Sequence, residues 1–266
     1  MRKSLKIKEM IQYGFMGTVA AGTVGMLLVI IGYIFMKGVG HIDFIELMPA
    51  IVTTIYMVVL GIAIAGPIGI GTAIYLNEYA TKGKLVNCVR FANECLGALP
   101  SILYGLFGMM FFVTQLKMGF SLLSGALTVA IMILPTIVKT TEEALKNVPN
   151  SYREGSLALG ATKIGTIMKV ILPSAIPGIL TGVVLSMGRI VGETAAIYLT
   201  AGMVFRVPSN IMESGRTLSV HLYMLAKEGI SINEAYGVAI VLLAVVFVLN
   251  LTTYAIAKRM KKNNEA

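Results

Sequence analysis

The chain has 266 residues, of which 56% are hydrophobic and 13% charged, with a net charge of +9. A soluble domain of this length carries about 25% charged residues and does not need uninterrupted apolar runs of about twenty residues, so the mean hydropathy of +0.82 excludes a water-soluble globule and places the chain in lipid. The positive charge falls in short clusters between apolar runs, with no long basic face and no interleaved aromatics, which excludes a nucleic-acid-binding surface.

From the N-terminus, Arg2, Lys3, Lys6 and Lys8 precede an apolar stretch at 13–36. That stretch exceeds the 7–15 apolar residues of a secretory signal, and no small-residue cleavage site follows it, so an uncleaved membrane helix is expected. Five further candidates follow at 48–76, 96–115, 120–138, 174–201 and 235–257, each near the ~20 residues that a ~30 Å hydrocarbon core requires. The second is long for one straight span, and Gly66-Pro67 inside it predicts a kink or break. Glycines and small residues recur throughout, as close helix packing in lipid requires. The expected fold is therefore all-α: one integral membrane domain over 1–266, a bundle of six transmembrane helices.

With the N-terminus inside, the inner segments 1–12, 77–95, 139–173 and 258–266 hold 16 of the 22 Lys and Arg. The outer side holds Lys37, Lys117, Arg206, Arg216 and Lys227, and Arg189 alone falls in a span. This bias puts both termini in the cytoplasm. Cys88 and Cys95 have no metal-ligand spacing and read as packing residues, and His41 and His221 read as polar residues of the outer surface. The outer segment Leu218–Ala226 has the mixed pattern of a helix lying along the membrane surface. No metal site, catalytic constellation or G-x-x-x-x-G-K-[ST] phosphate loop occurs; Gly66–Thr72 is glycine-rich but lacks the lysine.

The inner loop from Thr140 to Pro173 carries more information. Pro149 ends one helix, Asn150 or Ser151 is placed to cap the next, and Glu154 favours the positive end of its dipole. Gly160 allows a tight turn and Pro173 marks entry to the fifth span, giving a helix–turn–helix at the inner face. Glu154-Gly155-Ser156, Gly160 and Val170-Ile171-Leu172-Pro173 match in full the spacing of the E-A-A loop motif and resemble it in sequence. That motif belongs to the permeases of ABC importers. The resemblance implies a type I importer permease core over 48–257 whose short helix, at Ser151–Ala161, couples to a cytoplasmic ATPase. It also implies that ATP is bound and hydrolysed on that partner, with no cofactor on this chain. Gly160→Asp is then expected to leave the protein inserted but uncouple hydrolysis from uptake.

In the fifth span, Arg189 and Glu193 are four apart and would share one helix face. Charges inside a membrane cost about 2.5–3.5 kcal/mol each on insertion scales and mark functional sites or structural pairs. Arginine's planar fork suits a tetrahedral oxyanion, and Glu193 could orient it or accept the proton of a hydrogen phosphate, which sulfate lacks. Gly188-Arg189-Ile190-Val191-Gly192-Glu193-Thr194 looks like the G-R-A-x-G-E-T segment of phosphate importer permeases, where sulfate and molybdate permeases tend to read G-E-F. The likeness extends to Thr200-Ala201-Gly202, to Pro100–Gly108 and to Ala73–Ala80, with Asn77, Ile190 and Ala196 departing from it. It implies a bacterial inner-membrane phosphate importer in which Arg189, Glu193 and Thr194 line the path. The partners implied are a second permease, an ATPase dimer and an extracytoplasmic phosphate-binding protein. Another anion permease of the same superfamily, or a secondary transporter, are the alternatives.

Overall fold

The structure, a computed structural model, describes residues 2–81 and 83–264. The contribution of Lys82 to the inner basic cluster and the ends at Met1, Glu265 and Ala266 lie outside the described residues. Among the described residues there is no strand: the helices are joined by short turns and by one longer irregular segment, 201–217.

Helix α1 spans Arg2–Gly38 and α2 spans Phe44–Ile74, continuing as a π-helical turn over Tyr75–Tyr79. Asp43 starts α2 by accepting from the N–H groups of Ile45 and Glu46. Of the kink or break expected at Gly66-Pro67, the break does not occur. α2 is continuous through Pro67 because neighbours hold it on both sides of the proline. Gly61 lies against Ile190 and Val129, and Gly69 against Ile137, at separations that admit no Cβ without movement. At about 1.5 Å per residue, the 36 residues Phe44–Tyr79 outrun a ~30 Å core and project from it.

The third span is not the straight 96–115 helix that the hydropathy suggests. α3 (Lys84–Ala98) and α4 (Ser101–Gly108, extended by a π-helical stretch to Gln115) meet at an angle of 100° across Leu99-Pro100. Proline lacks an N–H, restrains the residue before it and ends α3 there. Hydropathy registers apolar content and not chain direction, so the elbow left no trace in it. Cys88 and Cys95 are exposed on α3 and free, not packed as expected.

α5 (Leu122–Lys146) is the central helix, with 67% of its spanning stretch buried. α6 (Asn150–Ala158) and α7 (Lys163–Thr166) form the inner hairpin. A π-helical turn over Ile167–Ile171 leads into α8 (Leu172–Gly192), followed by α9 (Ala195–Thr200), α10 (Leu218–Lys227) and α11 (Ile232–Asn264). Among the described residues five helices are long and apolar enough to cross a membrane, or six if the bent α3–α4 pair is one span. The helices that carry the apolar stretches are bounded differently from those stretches. The fourth helix runs on to Lys146, and the fifth begins at Lys163 and ends at Gly192 rather than covering 174–201.

Met57, Val129, Met132, Ile133, Ile137, Ile190 and Ile197 form the core where α2, α5, α8 and α9 meet. Hydroxyls inside the bundle bond back to their own helices: Thr54 to the Ala50 carbonyl, Thr128 to Ser124 and Thr200 to Ala196. α1 is peripheral. None of its spanning window is buried, and it joins the rest through α11, where the Tyr33 and Tyr236 rings meet edge to face at 5.7 Å. Helix α10 is packed into the bundle along one face. Leu218, Val220 and Leu225 are buried against α2, α9 and α11, and the Ser219 hydroxyl donates to the Val191 carbonyl.

Candidate functional site

The charged pair does not share a helix face. α8 stops at Gly192, and Glu193 is extended (φ −76°, ψ 128°) before α9 begins at Ala195. The break accounts for the order of the charges. Arg189 lies in the last turn of α8, at the negative end of that dipole. Glu193 sits before α9 and accepts from the Ala196 N–H at 3.0 Å through Oε1, at the positive end of the next. In one continuous helix, Arg before Glu is the weaker i, i+4 order. Across a break it is the favourable one.

Glu193 is 8% exposed, whereas Arg189 is half-buried and, among the described residues, makes no ion pair or hydrogen bond. Its charge acts on Tyr104 of α4, whose hydroxyl donates to the Leu96 carbonyl. Thr194 is half-buried, and its carbonyl accepts from the Tyr198 N–H at 2.9 Å. Gly105 and Gly108 bring α4 onto the second half of the broken helix. A Cβ on Gly105 would stand 2.9 Å from the Ala196 Cα, and one on Gly108 would overlap Thr128. Two segments read separately in the sequence, Pro100–Gly108 and Gly188–Gly202, are therefore one packed unit. A helix interrupted inside a membrane, with a free cation at the interruption, is suited to holding an anion.

The inner hairpin is the second region. α6 has no buried residue, and Glu154, Gly155 and Gly160 are exposed. Neither Asn150 nor Ser151 caps it: the helix already includes Asn150, whose Oδ1 accepts from Arg153 instead, and Glu154 falls beyond the first turn. Gly160 has φ +83°, the left-handed region that glycine enters without steric cost. Thr162 then caps α7 by accepting from the Gly165 N–H at 3.1 Å, and Ser156 bonds Thr166 across the hairpin at 2.9 Å. Pro173 is the second residue of α8. It lies within the continuous Lys163–Gly192 helix, just past the π-helical turn, where it lines with Tyr152, Pro149 and Gly178 a cleft of about 450 Å³. Tyr152, Leu157 and Leu159 present an apolar surface to the outside, Leu159 being 91% exposed.

Sequence reasoning missed the ion pairs at this end of the bundle, of which Arg153–Glu78 holds the hairpin. Arg153 pairs with Glu78 at 2.8 Å, and Glu142 binds both Arg90 at 2.6 Å and Lys146 at 2.8 Å. Their signal was present: Glu78 lies in one of the family-like segments and Arg153 directly precedes Glu154.

His221, expected on the outer surface, is a buried residue. Its ring stacks on Phe205 at 4.3 Å, and its Nδ1 lies 3.3 Å from the Arg216 guanidinium. Burial, then the Arg216 charge, pushes its pKa from 6.5 down to about 4, against a smaller opposing pull from Glu234. The ring is thus neutral when folded, while the unfolded chain takes a proton below about 6.5. Its contribution to stability is full above that pH and lost as the pH falls toward about 4. Between about pH 7.5 and 5 the protein in detergent is expected to lose roughly 1 kcal/mol more stability than His221→Asn, as read from thermal unfolding. Equal losses would show that the ring does not titrate this way. Among the described residues no three His, Cys, Asp or Glu side chains gather where they could share a metal ion.

Residues 65–263 match the family of binding-protein-dependent transport system inner membrane components. The chain is 32% identical over 275 residues to the probable ABC transporter permease protein YqgI of Bacillus subtilis strain 168, covering 92% of this chain and 94% of that one. It is 36% identical over 211 residues to the phosphate transport system permease protein PstA of Xylella fastidiosa strain 9a5c, covering 79% and 74%. In fold it resembles a chain of a bacterial alginate ABC transporter crystallised with an alginate pentasaccharide-bound periplasmic protein, at a TM-score of 0.70 and 17% identity over 98% of both chains.

Proposed function

Because the chain belongs to the family of binding-protein-dependent transport system inner membrane components, and is thus a multi-span permease subunit of an ABC importer, we propose that it carries phosphate. The observation behind the choice of substrate is Arg189: a half-buried guanidinium at a helix interruption with no anion of its own among the described residues. Its planar fork can give two parallel N–H bonds to one phosphate, in a setting where an unpaired charge is costly. Glu193, on the far side of the helix break, would accept the proton of a hydrogen phosphate, a contact sulfate cannot make at neutral pH. The likeness to PstA-type permeases supports the same substrate.

In this reading the chain pairs with a second, PstC-like permease, and the two line the path. A dimer of PstB-like ATPase subunits grips Ser151–Ala161 from the cytoplasm, and a PstS-like binding protein delivers phosphate outside. ATP is bound and hydrolysed on the ATPase. Closure of its dimer draws the coupling helices together and tilts the spans to open the outer side, and release after hydrolysis reopens the inner side. Both chain ends are cytoplasmic, following the inward bias of Lys and Arg.

The test is uptake of labelled phosphate by vesicles carrying the importer, with a tenfold excess of unlabelled phosphate, sulfate or molybdate. Phosphate alone is expected to compete. Competition by sulfate or molybdate instead would make this an importer of that anion, and uptake that needs no ATPase chain would make it a secondary transporter.

A further inference from the structure

Arg153 gathers more hydrogen bonds than any neighbour on the inner hairpin. Nη2 donates to Glu78 Oε1 at 2.8 Å and to the Leu145 carbonyl at 2.9 Å. Nη1 donates to the Val148 carbonyl at 2.8 Å and to Asn150 Oδ1 at 3.3 Å, and Nε reaches Glu78 Oε2 at 3.5 Å. One guanidinium thus joins α6, the C-terminal carbonyls of α5 and the π-helical end of α2. Both partners are largely shielded, with 20% of the Arg153 and 9% of the Glu78 side chain exposed.

We propose that the Arg153–Glu78 pair is the rigid joint through which displacement of α6 is passed to α2 and α5. This rests on the reading of α6 as the ATPase-coupling helix. Helix α6 buries no residue of its own, and its other side-chain bond between elements, Ser156 to Thr166, leads through α7 into α8 and not to α2 or α5. Among the described residues, no other side-chain hydrogen bond or ion pair of α6 reaches α2 or α5. The planar fork fixes direction as well as distance, which a lysine ammonium does not. α2 then runs the full depth of the bundle, so a shift at Glu78 is delivered along one continuous helix.

The experiment uses the complete importer in vesicles, measuring labelled phosphate taken up per ATP hydrolysed for the wild type, Arg153→Lys and Glu78→Gln. Each variant is expected to co-purify with its partner subunits and to lose about tenfold in uptake per ATP, the loss of one charge-assisted bond pair. An unchanged ratio in Arg153→Lys and Glu78→Gln overturns the joint. So does a fall in uptake that only tracks the amount of assembled complex, since that is a structural role. A wild type whose uptake ignores ATP overturns the coupling reading itself, and the joint with it.

Discussion

Arg189→Gln is expected to reduce phosphate uptake at least about thirtyfold, with the protein still inserted and assembled. Breaking a desolvated, charge-assisted contact costs about 2–5 kcal/mol, and each 1.4 kcal/mol is a factor of ten. Arg189→Lys tests geometry apart from charge: it keeps the cation, loses the fork, and is expected to fall at least about tenfold. The bundle should tolerate either change, because Arg189 has no ion pair or hydrogen bond among the described residues that would be left unpaired. Glu193 separates into two roles. Its Oε1 caps the Ala196 N–H, and glutamine retains that acceptor. A loss in Glu193→Gln therefore measures the carboxylate's charge and proton affinity and not the local backbone. Wild-type uptake in Arg189→Lys, Arg189→Gln and Glu193→Gln would remove both residues from the path.

Gly160→Val is expected to lower uptake at least about tenfold while leaving membrane insertion and basal ATP hydrolysis intact. No atom lies within 4 Å of the position a Cβ would take, so packing does not oppose the substitution. The backbone does. At φ +83° a β-branched residue is strained by about 1–2 kcal/mol, and the short turn Leu159–Thr162 relieves the strain by moving α6 against α7. The change is confined to the hairpin that the proposed function assigns to the ATPase, since the turn lies outside the helices long and apolar enough to span. Gly160→Asn, which enters the left-handed region more readily, is expected to stay within about twofold of wild type. By the same argument Gly160→Asp disturbs docking through its charge more than through its backbone. Insertion is read from membrane fractions and coupling from hydrolysis and uptake in the same vesicles. Equal uptake in the wild type and Gly160→Val would discard the requirement for this turn.

The sequence by itself determined the class of protein, the apolar helices and the hairpin between the fourth and fifth of them. These depend on quantities that are local along the chain: about twenty apolar residues for a crossing, basic residues between crossings, and a glycine where φ must be positive. Tertiary structure decided what depends on neighbours. Pro67 keeps α2 unbroken because α5 and α8 hold it, while the Gly192–Thr194 break opens in a stretch whose hydropathy is that of a span. The 100° elbow at Leu99-Pro100 and the burial of His221 beneath Phe205 reflect direction and packing, which composition does not encode. Arg153 and Glu78 stand 75 residues apart in the chain, and only the folded bundle brings one guanidinium to that carboxylate and to two carbonyl groups at once.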